Sequence, residues 1–166
     1  MTKEELKIEL DKRTGGALEC FRKFKNCEMF LFVVTKGEKG FAEGIMPIMD
    51  TMVKNRFELA KILGKGMKKF IKEGKTVEAV FMVAKAWYTS VKNREEVKKT
   101  LPPSLNINRK EALIISGMNE AGEVEMNFFQ IIRKKGVDPE LKKEEGFKKI
   151  ESNILQAFWE GVEEVR

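Results

Sequence analysis

A chain of 166 residues, 42% hydrophobic and 9% aromatic, is long enough to bury a core and too apolar to be disordered. It contains no histidine, and Lys plus Arg exceed Asp plus Glu by 32 to 26, a formal net charge of +6. The missing imidazole excludes the usual histidine-based triads, and with two cysteines it excludes a four-ligand zinc site of the usual type.

The length suggests a single domain over 1–166. No apolar run approaches the roughly 20 residues of a membrane span, and the start Met1-Thr2-Lys3-Glu4-Glu5 is unlike a secretory signal, so a cytoplasmic protein is expected. Cys20 and Cys27 match neither a redox pair nor a zinc half-site by spacing. They read as free thiols, with a redox-sensitive pair as the lesser alternative. A surface rich in Lys and Glu and poor in Gln hints at a heat-adapted source.

Thr2 and Glu5 form a capping-box pattern that opens a helix, continued by Leu6, Leu10, Ala17, Phe21 and Phe24. Gly15-Gly16 predicts a break or a tight contact within it. Met29 to Val34 reads as a buried strand, and Lys36 to Gly40 as a turn. Phe41 to Met46 is a candidate returning strand, which Pro47 stops or leaves at an edge.

Asp50 is placed to cap one long helix to about Glu73, with Met52, Leu59, Leu63, Gly66 and Phe70 on its apolar face and Gly74 at its end. Lys61, Lys65, Lys68, Lys72 and Lys75 follow helical spacing on the opposite face. Strands then run over Val77 to about Ser90, Lys110 to Met118 and Glu123 to Arg133, the last two joined at Asn119-Glu120-Ala121-Gly122. Lys92 to Asn108 reads as a loop. Asp138-Pro139 is the start signal of a final helix with a stripe of Phe147, Ile150, Ile154, Phe158 and Val162. The expected class is α+β: a mostly antiparallel sheet of four or five strands with a C-terminal three-strand meander, packed by about three helices.

No metal pattern, phosphate loop or dinucleotide turn occurs, so no cofactor is expected. Gly64-Lys65-Gly66 reads as a close-packing site for another element. Three places carry functional readings. The lysine row Lys61, Lys65, Lys68 and Lys72 is a solvated face or a phosphate-contacting surface for nucleic acid or anionic lipid. Trp87, Ser104, Arg109 and Glu111 outline a ligand site, in which Arg109 and Glu111 either pin a loop or clamp a ligand. Phe158-Trp159 on the final helix either packs on the sheet or leaves a tryptophan for a protein interface.

Ala84-Lys85-Ala86-Trp87, Pro103-Ser104 and Asn108-Arg109-Lys110-Glu111-Ala112-Leu113 together resemble a pattern in uncharacterised prokaryotic proteins of similar size. There, a strand ending in Ala-Trp is followed by Pro-Ser and then Asp-Arg-x-Glu-Ala. This chain departs from it at Lys85, where an acid is usual, and at Asn108. The resemblance implies no activity, but it draws attention to Ser104, Arg109 and Glu111.

The leading expectation is a non-enzymatic binding domain that self-associates as a homodimer. The alternatives are a nucleic-acid-associated protein using the lysine row, and a small-molecule enzyme or sensor with a pocket near Trp87, Arg109 and Glu111.

Overall fold

The computed structural model describes residues 1–38, 40–48, 56–88, 108–144 and 153–166. Its elements are α1 (Lys3–Phe24), β1 (Met29–Gly37), β2 (Gly40–Ile48), α2 (Arg56–Lys65), the short α3 (Lys68–Lys72), β3 (Thr76–Tyr88), β4 (Lys110–Asn119), β5 (Val124–Ile132), β6 (Glu140–Lys143) and α4 (Asn153–Glu163). The protein is α+β. Six antiparallel strands lie in the order β2-β1-β3-β4-β5-β6. The described helices are not long and apolar enough to cross a membrane.

Side chains alternate across each strand, and here both faces are covered. Leu6, Leu10, Ala17 and Phe21 of α1 pack on Val34, Ala79, Phe81, Val83, Leu113, Ile115, Phe129 and Ile131. On the other face, Ala60 of α2, Met67, and Leu155, Phe158, Trp159 and Val162 of α4 pack on Met29, Leu31, Val33, Val80 and Met82. Val80 to Ala84 are all buried, which marks β3 as a central strand. Pro47 lies in β2, the terminal strand, where its missing N–H is tolerated.

The start of α1 follows the capping box: the Thr2 hydroxyl accepts from the Glu5 N–H, and the Glu5 carboxylate accepts from the Thr2 N–H. At the hairpin between β4 and β5, Gly122 takes φ +77° and the Asn119 side chain accepts from the Glu123 N–H. A bulge where Thr35 pairs with Val77 and Val34 with Ala79 sends Val77 to the α2–α4 face.

Four expectations need correction. The sheet has six strands, because Glu140–Lys143 pairs with β5 as a short edge strand rather than starting a helix at Asp138-Pro139. The expected long helix breaks after Lys65. There the Met67 N–H donates to the Gly64 carbonyl in a tighter turn, which delivers Met67 to the core and leaves Phe70 exposed. Its forecast start, Asp50 and Met52, lies outside the described residues, as do residues 89–107 with Pro103 and Ser104, and Phe147 and Ile150 of the final stripe.

The fourth correction concerns Gly15-Gly16. The pair neither breaks α1 nor meets another element: both are exposed, and a Cβ on either would have nothing within 4 Å. The buried stripe of Leu10, Thr14, Ala17 and Phe21 holds the helix through them. Alanine at each position should therefore raise stability by about 1 kcal/mol, by restricting the unfolded chain and improving helix propensity. Urea denaturation of the single and double variants checks this. An unchanged midpoint would mean that the helix draws nothing from propensity there.

Candidate functional site

Register brings the Trp87 residues together. Trp87 on β3 pairs directly with Glu111 on β4, so both project from the α1 side of the sheet, beyond the end of its apolar core. Arg109 lies over the Trp87 ring, 4.5 Å from its centroid. Trp87 is nevertheless 47% exposed. Arg133 reaches across from the end of β5 and donates to Glu111 from Nε at 2.6 Å and Nη2 at 3.3 Å. Lys85 Nζ stands 3.4 Å from the same carboxylate and donates to Asn26 at 2.8 Å. Sequence spacing could not reveal Arg133 and Lys85 as partners, because the pairing needs the register of three strands.

The Glu111 side chain is only 9% exposed. Burial pushes its carboxyl up, but the hydrogen bond and charge of Arg133, helped by Lys85, outweigh this and hold it below the usual carboxylate range. A depressed carboxyl contributes stability that is present above its unfolded value, about 4.3, and is lost as pH falls through the folded one. Arg133→Ala should therefore cost about 2 kcal/mol at neutral pH, since it leaves a buried carboxylate with Lys85 alone. The difference from wild type should shrink as acid protonates Glu111, first in the variant and then in wild type. Urea unfolding at neutral and at acidic pH decides it. A loss of equal size at both would show that the pair contributes through packing and not charge.

The lysines are divided between two helices. Lys61 and Lys65 of α2 both pair with Glu164, at 2.5 and 2.7 Å. That bond holds the Lys61 ammonium up and the Glu164 carboxyl down. Lys68 and Lys72 sit on α3, past the break. On α4, Phe158 and Trp159 are both buried, and the Trp159 indole N–H donates to the Met118 carbonyl at 3.4 Å. That tryptophan wraps the sheet and is not left for an interface. Cys20 and Cys27 are both free. Burial, with the neighbouring Cys20 sulfur, pushes the Cys27 thiol up to about 11, which keeps it protonated and a poor nucleophile.

A cavity of about 290 Å³ opens between α1 and the β1–β2 hairpin, with Ile8, Glu9, Arg13, Val34, Ala42 and Glu43 among its lining residues. Arg13 is its central group, with a side chain 8% exposed. Its Nη1 donates to the Glu9 carboxylate at 2.6 Å and to the Glu9 carbonyl at 3.1 Å, and its Nη2 is 3.0 Å from Glu43. The guanidinium lies 4.3 Å from the Phe81 ring centroid and 5.8 Å from that of Phe32. Its Nε–H is buried and has no hydrogen-bond partner among the described residues. Sequence reasoning missed Arg13, although position 13 falls on the helical stripe between Leu10 and Ala17.

Comparison with protein-family models, with curated proteins and with solved structures returns no match for this chain.

Proposed function

We propose that the protein is a non-enzymatic binding domain that docks an acidic protein segment on the Trp87 end of β3 and β4. The observation that carries this is the half-exposed Trp87 with Arg109 stacked on it. Tryptophan and arginine are the side chains that most often anchor an interface, and strand pairing makes the backbone at Trp87 rigid. Among the described residues, Lys85 and Arg133 both stand against the one carboxylate of Glu111, which favours an acidic partner. A second copy meeting this patch with its own would bring like charges together.

The test is a titration of fluorescent acidic peptides carrying one aromatic residue against wild type, Trp87→Ala and Arg109→Ala. Binding should weaken at least about tenfold in each variant while circular dichroism stays unchanged. Binding indifferent to both substitutions would sink the proposal. A single-stranded oligonucleotide that binds instead, and is lost in the same variants, would replace the protein partner with nucleic acid.

Self-association is a second reading, favoured by a different observation. Strand β2 is terminal in the sheet, no described strand pairs with its outer edge, and it exposes Ile45. Joining two copies along that edge would give a homodimer with a continuous sheet. Sedimentation velocity showing only monomer at millimolar concentration would remove this reading.

A further inference from the structure

We infer that the end of α1 and the β5–β6 turn together form a docking surface for an anionic lipid membrane. Lys25 Nζ lies 2.6 Å from the Asp138 carboxylate, which ties the two elements together. The residue beside each member of that pair is apolar and open: Phe24 and Val137 are both 64% exposed. Around them, residues 22–28 and 134–144 carry seven bases and four acids. Arg22, Lys23, Lys134 and Lys135 are exposed and in no ion pair among the described residues. Lys23 Nζ lies 5.3 Å from the Phe24 ring centroid. On the other element, the Val137 N–H donates to the Lys134 carbonyl at 3.2 Å and Gly136 takes φ +76°, so a tight turn carries Val137 and both lysines.

A single exposed apolar side chain is ordinary on a protein surface. Two of them, on elements joined by an ion pair and flanked by uncompensated bases, ask for negative charge and an apolar layer in one place. A bilayer with anionic headgroups offers both. Lysine ammonium groups stay among the headgroups while their stems and the apolar side chains go deeper. A protein partner fits less well, because lysine is depleted at protein interfaces. Nucleic acid supplies the charge but nothing for Val137, which has no ring to stack on a base. The surface shares no residue with the Trp87 patch, so each proposal can fail without the other.

The experiment is cosedimentation with phosphatidylcholine vesicles, either pure or containing about 30% phosphatidylserine, in about 50 mM salt. The protein should bind the anionic vesicles at least about tenfold more tightly than the neutral ones. Lys134→Glu with Lys135→Glu should abolish binding. Phe24→Ser and Val137→Ser, which leave the charge alone, should each weaken it at least about fivefold. Trp87→Ala should leave it unchanged. Wild type gives a readout that needs no variant: spin-labelled lipid should broaden the amide NMR signals of Phe24 and Val137 before any others. No binding to the anionic vesicles overturns the proposal. So does vesicle binding indifferent to both serine variants, or broadening centred elsewhere. A single-stranded oligonucleotide bound through the same lysines, with vesicles left unbound, would replace lipid with nucleic acid.

Discussion

Gly64→Ala should destabilise the protein by about 3 kcal/mol or more, the upper end for forcing extra volume into a packed interior. A Cβ there would stand 2.0 Å from the Phe158 carbonyl oxygen and 2.9 Å from the Val162 nitrogen. The obstruction is helix backbone, which cannot turn aside as a side chain can. Gly161 is its reciprocal: a Cβ on it would stand 2.0 Å from the Lys61 carbonyl oxygen. Each helix thus carries a buried alanine and, four residues on, a buried glycine: Ala60 and Gly64 on α2, Ala157 and Gly161 on α4. Small residues at this spacing let two backbones touch. Gly161→Ala should match Gly64→Ala, and the double variant should cost less than the sum, because one separation of the helices relieves both clashes. Denaturant unfolding measures all three. A cost below about 1 kcal/mol for either single variant would mean that the helices separate freely and that the contact does not hold α4.

Phe81→Ala should cost about 4 kcal/mol. Phe81 is fully buried on β3, lies beneath the Arg13 guanidinium and pairs with Gly117 on β4. A Cβ on Gly117 would come within 2.5 Å of the Phe81 ring, so the ring occupies the space that glycine leaves open. The two positions should therefore couple with a change of sign. Gly117→Ala should destabilise wild type by about 1–3 kcal/mol through overpacking. In the Phe81→Ala background the clash is gone and the same change should be neutral or stabilising, since alanine loses less entropy in a strand. Additive costs in this cycle would rule out the ring as the reason for the glycine.

The parts of the fold legible in the sequence are those set by local chemistry. The capping box at Thr2 and Glu5, the hairpin at Asn119 to Gly122 and the doubly apolar run of β3 all depend on residues close in sequence. What was not legible depends on partners. Asp138-Pro139 carries a helix-start signal, but the open edge of β5 takes Glu140–Lys143 as a strand. A regular spacing from Lys61 to Lys72 hides a turn that exists because Met67 is drawn into the core. At the candidate site, the proximity of Trp87, Arg109 and Glu111 was foreseeable in outline. That Glu111 answers to Arg133, and that Arg13 is buried under two carboxylates, required the register and the helix docking.

The seam between α2 and α4 also constrains how the chain is made. Its glycines lie nearly a hundred positions apart in sequence. During synthesis α2, and the sheet face bearing Leu31, Val80 and Met82, lack that cover until residue 163 has been added. Domains complete themselves in order of emergence, and apolar surface left waiting is open to association with other chains. The yield of folded protein should therefore fall as the time between the emergence of α2 and that of α4 lengthens.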